Sequence, residues 1–177
     1  SGVLAIVAHK LGATRIVARH FVVAGGAINS PALLLRSNAP DPYDRLGRRT
    51  FLHPVVLSRA TFAQQVTGWQ GAPQTIYSDH FLETGPIDGP IGFKLEVPPL
   101  HPLLFATSIF GFGHDLAARL PQFPNTHVAL ALLRDGFHAE SMGGKVELNR
   151  DGSPVLDYPL TPYVMDGARR ALLTMAE

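Results

Sequence analysis

A short run of small residues has the spacing of a ligand-binding turn. Gly25 and Gly26 follow the apolar residues 21–24, and glycine lets a backbone turn sharply while something bulky lies against it. Ser30 and Pro31 are types favoured at the N-cap and the first position of a helix. A helix that begins there would present free N–H groups and a positive dipole end to an anionic ligand. An ordinary connection between a strand and a helix explains the same residues equally well.

The elements on either side of this turn are predicted from composition and pattern. Residues 21–24 form a short, uniformly apolar run, which predicts a strand buried on both faces. Residues 31–36 predict the helix, and residues 3–18 predict a hairpin around a turn at residues 10–13. Residues 38–42 are rich in turn formers and end this first region.

The rest of the chain is dominated by β-type runs. Turn residues at 134–136 and 149–152 suggest hairpins, residues 102–120 are the one helical interruption, and a final helix is indicated by apolar residues at helical spacing from Met165 to Met175. Several short strands with one helical excursion predict a mostly antiparallel sheet with helix on one side. The predicted fold class is α+β. The β-type runs cover residues 55–62, 75–81, 91–97, 127–133 and 145–148.

Two ordered motifs resemble a known family. Residues 22–37 resemble the second signature of the glucose–methanol–choline (GMC) family of flavin-dependent oxidoreductases, in which small residues and glycine precede Ser-Pro and a leucine-rich helix ending in Ser. Residues 46–54 resemble the family's next landmark, a Leu-Gly-Arg segment that closes with His53-Pro54. Residues 17–20 resemble the family's approach to the signature.

The resemblance implies an FAD-dependent enzyme that oxidises the CH–OH group of an alcohol by hydride transfer to flavin. It implies that residues 1–53 are part of the FAD-binding domain and that residues 54–177 are part of the substrate-binding domain. It assigns no catalytic residue here, because the family's dinucleotide fingerprint and catalytic histidine have no counterpart in these residues; the chain alone is therefore expected to be inactive. The residues that the resemblance places at the cofactor are Ala24, Gly25, Gly26, Ala27, Asn29 and Ser30.

His53 has two interpretations. It matches the His-Pro landmark where the family's chain passes from the flavin domain to the substrate domain, but a histidine whose ring hydrogen-bonds the backbone and fixes this crossing is the preferred explanation. The family's usual Asn and acidic residue before this histidine are absent, since residues 49–52 read Arg-Thr-Phe-Leu. The apolar form Leu52-His53-Pro54 resembles the branch of the family that acts on long-chain alcohols.

Composition excludes several other classes. The net charge is +1 without a basic patch, so nucleic acid is not an expected partner, and the absence of cysteine excludes disulfides and thiolate chemistry. No histidine pair has metal-ligand spacing on a helix, so no metal is expected. The most apolar window, residues 103–112, is too short to cross a membrane. The expected compartment is the cytoplasm, with the periplasm as the alternative.

The chain is expected to be an internal fragment, because it opens on Ser1-Gly2 and stops within a helical pattern. Its expected partners are an alcohol substrate, which the apolar Leu52-His53-Pro54 form suggests is itself apolar, and the remaining segments of a longer protein. The alternative from a different class is a non-catalytic antiparallel-sheet module that binds an apolar ligand or a protein partner. The two differ in what flanks the chain: only the enzyme needs a glycine-rich dinucleotide motif before Ser1 and a histidine-bearing segment after Glu177.

Overall fold

The computed structural model describes residues 3–9, 12–83 and 85–177, with side chains from residue 16 onward. These residues fall into two compact units. The first runs from the start of the chain to Thr50 and includes Lys145–Asp157; the second comprises Phe51–Gly144 and Tyr158–Glu177. The described part contains four α-helices, one four-stranded antiparallel sheet and two two-stranded sheets, which confirms the α+β class. The predicted division at residue 53 into a flavin and a substrate domain stays a prediction.

The first unit begins with the predicted hairpin. Strands β1 (Val3–His9) and β2 (Gly12–Ala18) pair antiparallel, with Val3 opposite Ala18. The hairpin prediction is therefore confirmed, although Lys10 and Leu11 of its predicted turn lie outside the described residues.

The predicted buried strand at residues 21–24 is wrong. These residues have no regular secondary structure, and Val22 is 89% exposed. The physical reason is that a strand exists only through hydrogen bonds to a neighbouring strand, and no strand in the described part of the chain pairs with this segment.

Helix α1 (Gly26–Arg36) begins earlier than predicted. Its N-cap is Gly25, so the predictions of Ser30 as N-cap and Pro31 as first helical residue are wrong. Ser30 instead lies inside the helix, and its side-chain oxygen accepts the backbone N–H of Gly25 at 2.9 Å. Because this bond satisfies the N–H of Gly25, the helix begins at Gly26 and Ser30 lies within it.

Strands β7 (Lys145–Leu148) and β8 (Pro154–Asp157) form the second hairpin of this unit. Asn149 donates its backbone N–H to Ser153, and Gly152 donates to Asn149, both at 2.9 Å. The turn predicted at residues 149–152 is thus confirmed. Arg36, in the last turn of α1, donates to the backbone oxygen of Gly152 at 2.9 Å and ties this hairpin to the helix.

The second unit is built on a four-stranded antiparallel sheet. Its strands are β3 (Val55–Thr61), β4 (Tyr77–Ser78), β5 (Phe93–Glu96) and β6 (Thr126–Leu133). They lie in the order β3-β6-β5-β4. The hairpin suggested by residues 134–136 is wrong, because β6 is followed in the chain by a strand of a different sheet. Asp135 uses its carboxylate there to bind other loop groups rather than to close a turn between paired strands.

Helices cover this sheet. Helix α4 (Pro162–Ala176) packs on one face of it, and Gly167 permits a close approach, since an added Cβ would lie 1.8 Å from Ile91 Cγ2. The predicted helical interruption is α2 (Pro102–Ser108), α3 (His114–Arg119) and a 3-10 helix (Leu120–Asn125). No helix in the described part of the chain is long and apolar enough to cross a membrane. The core beneath α4 comprises Ile91, Phe93, Ala131, Leu133, Val164 and Ala171.

Candidate functional site

The predicted cofactor residues lie at one end of α1, within seven consecutive positions of the chain. Ala24, Gly25, Gly26 and Ala27 are all exposed. Gly26 has a φ of +78°, and nothing lies within 4 Å of the position that a Cβ would take there. Space is therefore open beside the backbone at Gly26, as an approaching ligand would require.

Gly25 is small for a different reason. A Cβ at this position would lie 3.2 Å from the Cβ of Asn29 and 3.3 Å from the backbone nitrogen of Ser30. Both contacts are with the helix that Gly25 itself caps. The absence of a side chain at Gly25 therefore allows the turn to pack against its own helix. Of these two glycines, Gly26 is the one that faces open space.

The electrostatics of this end of the helix favour an anion. The N-cap residue Gly25 has no side chain that could accept the first-turn N–H groups of α1, and that turn contains no acidic residue. The positive end of the helix dipole is therefore not neutralised locally, and the first-turn N–H groups have no intrahelical partner. Asn29 is exposed beside them and can offer its side-chain amide. The residues present thus fit a ligand that carries phosphate or another anionic group close to backbone.

The Leu-Gly-Arg landmark is a packing device within the first unit. Gly47 is buried with a φ of +74°, and an added Cβ would lie 2.6 Å from the backbone oxygen of Val146. Its carbonyl accepts the backbone N–H of Val146 at 2.8 Å, which joins this loop to β7. Only glycine satisfies both the left-handed conformation and the close approach.

Asp41 fixes the same loop from its other side, and sequence reasoning treated it only as a turn former. Its carboxylate accepts the backbone N–H groups of Arg45 at 2.9 Å and Leu46 at 2.7 Å. These bonds favour the ionised form, so they lower the pKa of Asp41. The signal that could have identified Asp41 is an acidic residue among turn formers, five positions before the Leu-Gly pair.

His53 lies exposed just before β3. Within the described residues its ring has no hydrogen-bond partner, so the preferred explanation, a ring bonded to the backbone, is not supported. The next residue, Pro54, is held within the second unit, since its carbonyl accepts the backbone N–H of Leu133 at 2.9 Å. No role for His53 follows from these contacts.

A polar cluster in the second unit was missed by sequence reasoning. Asp135 accepts the backbone N–H of Gly136 at 2.8 Å, the buried hydroxyl of Ser141 at 2.5 Å, and the hydroxyl of Tyr158. Burial, followed by the bond to Asp135, raises the pKa of Tyr158 to about 12. The cluster joins the loop after β6 to the segment before α4. Groups of three or more potential metal ligands are absent from the described residues.

Comparisons with known proteins indicate a family. Residues 1–55 match the family model described as GMC oxidoreductase. A 6'''-hydroxyparomomycin C oxidase from Streptomyces lividus is 30% identical over 165 residues, which cover 89% of this chain and 29% of that protein. An uncharacterized GMC-type oxidoreductase from Mycobacterium tuberculosis is 30% identical over 120 residues, which cover 68% of this chain and 18% of that protein. The chain thus spans less than a third of the length of these relatives.

Proposed function

Because the chain belongs to the GMC oxidoreductase family, whose members use FAD, we propose that the start of α1 forms part of an FAD site. The enzyme that contains it would oxidise the CH–OH group of an alcohol. The FAD, when bound, accepts the hydride that leaves the alcohol carbon. The observation that supports the proposal best is the open space beside Gly26, at a helix N-terminus whose N-cap residue supplies no side-chain cap, within the residues that match the family.

The residues of this chain would act by binding the FAD and by leaving room for it beside the backbone. Ala24, Gly26 and Ala27 would let the cofactor approach the backbone, and the first-turn N–H groups of α1 would donate to its anionic part. Asn29 and Ser30 would line the same end of the helix; the Ser30 oxygen already accepts from Gly25, which leaves its hydrogen free to donate. No residue of this chain is proposed to abstract the substrate proton, so the 177 residues alone would show no turnover.

The substrate is proposed at the level of an alcohol. The name of the Streptomyces lividus relative gives a hydroxylated compound as that protein's substrate, which supports a CH–OH donor for this chain. The narrower prediction of a long-chain alcohol has no support from the names of the relatives. It can be tested by offering aliphatic and polyhydroxylated alcohols side by side to the protein at its natural length.

The cofactor proposal is tested by filling the space beside α1. Ala27 is exposed in the first turn, and leucine is nearly as good a helix former as alanine. Ala27→Leu should lower FAD affinity by about tenfold, since inserting extra methylenes against a bound group typically costs about 1–3 kcal/mol. The measurement is flavin absorbance per mole of purified protein, followed by FAD titration of the apoprotein.

Ala118→Leu is the matched control, because Ala118 is also an exposed helical alanine but lies on α3 in the other unit. It should leave the flavin content unchanged. Gly25→Val is also expected to lower flavin content, but it would crowd Asn29 and so disturb the helix as well. Wild-type protein without flavin, or Ala27→Leu protein with full flavin, would contradict the proposal and favour a non-catalytic module.

A further inference from the structure

A cleft of about 260 Å³ lies within the second unit, far along the chain from the α1 turn. Its walls are the loop around residues 66–76, the residues that follow β5, and the start of β6. Small-molecule sites are concave and commonly measure about 300–1,000 Å³. At about 260 Å³ this cleft lies just below that range, so it suits only a small ligand. The lining residues that matter below are Thr67, Gln70, Ala72, Gln74, Thr75 and His127.

Backbone hydrogen bonds hold the walls of the cleft in place. Val66 donates to Pro124 at 2.9 Å, Leu100 donates to Gly68 at 2.8 Å, and Val97 donates to Ile76 at 3.2 Å. Beside the lining residue Gly68, the Trp69 ring stacks on Phe123 with 4.7 Å between centroids. The cleft is thus formed before any ligand arrives, which reduces the entropy lost on binding.

The polar groups of the lining are amides, hydroxyls and one imidazole. Among the residues that line the cleft there is no Lys, Arg, Asp or Glu. In the part of the chain that the structure describes, the side chains of Gln70 and His127 have no hydrogen-bond partner. Gln74 donates through its amide nitrogen to Glu96 at 2.9 Å, which leaves its amide oxygen able to accept more.

The apolar part of the lining complements these groups. Val66, Ile76, Val97, Pro98 and Pro99 supply flat aliphatic surface. Amides, hydroxyls and an imidazole can pair with hydroxyl groups around the edge of a ring, while aliphatic surface packs against its C–H faces. A phosphate, carboxylate or ammonium group would find no lysine, arginine, aspartate or glutamate in this lining to pair with.

We propose that this cleft binds a neutral polyhydroxylated molecule the size of one sugar ring. The inference goes beyond the FAD proposal and does not depend on it, because every lining residue belongs to the second unit. A ligand of about a dozen non-hydrogen atoms held by amides, hydroxyls and an imidazole should bind with a Kd on the order of millimolar.

The test titrates the protein at its natural length, loaded with FAD, with D-glucose, myo-inositol, 1-hexanol and inorganic phosphate in separate experiments. Saturation-transfer NMR reports which molecule binds, and calorimetry gives the Kd. Glucose or inositol should bind saturably. Any binding of hexanol or phosphate should lie outside the cleft and should therefore be equal in the wild type and in the cleft variants. Ala72→Leu fills the cleft from an exposed position and should weaken sugar binding by at least about tenfold.

Ala118→Leu again serves as the control and should bind the sugar like the wild type. Gln70→Leu, which removes an exposed amide without filling the cleft, keeps the test decisive if Ala72→Leu protein is unstable, and it too should weaken binding. Unchanged sugar affinity in a folded cleft variant, or binding of hexanol or phosphate that the cleft variants weaken, would overturn the inference. Both cleft variants should retain full flavin, so failure here is distinguishable from failure of the FAD proposal.

Discussion

Replacing Gly47 by alanine should destabilise the contact between the loop around Gly47 and strand β7. The effect on this contact should be far larger than that of replacing Gly152 by alanine. The two glycines belong to the same unit and have nearly equal φ values of +74° and +80°. An alanine in this left-handed region costs roughly 1–2 kcal/mol at either position. At Gly152 the nearest atom to a new Cβ is Arg36 Cδ at 3.7 Å, an ordinary contact, so strain is the whole expected effect.

At Gly47 the new Cβ would lie 2.6 Å from the Val146 oxygen, so β7 or the loop must move. Overpacking of this kind costs about 1–3 kcal/mol. The movement would also weaken the 2.8 Å bond from Val146 to Gly47, which is worth about 1 kcal/mol. Gly47→Ala should therefore exceed Gly152→Ala by about 2–4 kcal/mol, or roughly one and a half to three orders of magnitude in an opening equilibrium.

Hydrogen–deuterium exchange of the protein at its natural length, read by mass spectrometry, measures this difference locally. Peptides that cover Lys145–Leu148 should exchange much faster in Gly47→Ala than in Gly152→Ala. Peptides that cover Thr126–Leu133 in the other unit should exchange at the same rate in both variants. Equal exchange of β7 in the two variants would refute the reasoning, since it would mean that the close approach at Gly47 has no energetic consequence.

Two further predictions concern pH. The pKa of Tyr158 is raised from 10.0 to about 12 in the folded state. Between these two values the folded state keeps the tyrosine proton whereas the unfolded state has lost it. The contribution of Tyr158 to stability should therefore be complete below pH 10 and disappear between pH 10 and 12. Tyr158→Phe should lack this part of the alkaline loss in denaturant titrations, and identical pH profiles would contradict the assignment. Asp41 has its pKa lowered from 3.8, so its contribution should be present above that pH and be lost as the pH falls through the lower folded value. Asp41→Asn should speed amide exchange at Arg45 and Leu46 at neutral pH and should reduce the loss of stability on acidification. Asp44 is an exposed partner of Arg48, and Asp44→Asn should change neither the exchange nor the acid dependence of stability.

The parts of the fold that sequence patterns predicted are those governed by local interactions. The hairpin of β7 and β8 depends on a turn whose hydrogen bonds join Asn149, Gly152 and Ser153, all within five residues. The final helix was indicated by apolar spacing, and two residues of that spacing, Ala168 and Met175, pack against the core. The other two, Met165 and Leu172, are exposed, so the helix was predicted correctly but its buried face was not. In each case the residues that determine the structure are close together in the sequence.

The errors arise where distant or competing partners decide the outcome. The pair Ser30-Pro31 fits the start of a helix, but the same serine can also accept the N–H of Gly25 and lie inside one. Propensity rules do not distinguish these two uses of a serine hydroxyl. Residues 21–24 have the composition of a strand, yet strand formation depends on a neighbour that composition does not describe.

The polar cluster around Asp135 could not have been predicted from spacing. Tyr158 is separated from Asp135 by 23 residues and Ser141 by six, with no periodic relation among them. The cleft is similar, because His127 joins it from a strand that follows the loop by some fifty residues. Such sites come from tertiary packing, which places neutral and charged groups together without a sequence signature.

The glycines of the two family motifs have different physical uses, and this determines which substitutions test the FAD proposal. Gly25 and Gly47 are small because the chain itself comes close: an added Cβ would lie 3.2 Å from Asn29 Cβ at Gly25 and 2.6 Å from the Val146 oxygen at Gly47. Replacing either would disturb the scaffold, so a loss of flavin there would not distinguish cofactor contact from misfolding. Gly26 faces open space, but its positive φ would strain any replacement. A clean test of ligand clearance therefore requires an exposed neighbour with ordinary helical backbone, and Ala27 meets that requirement.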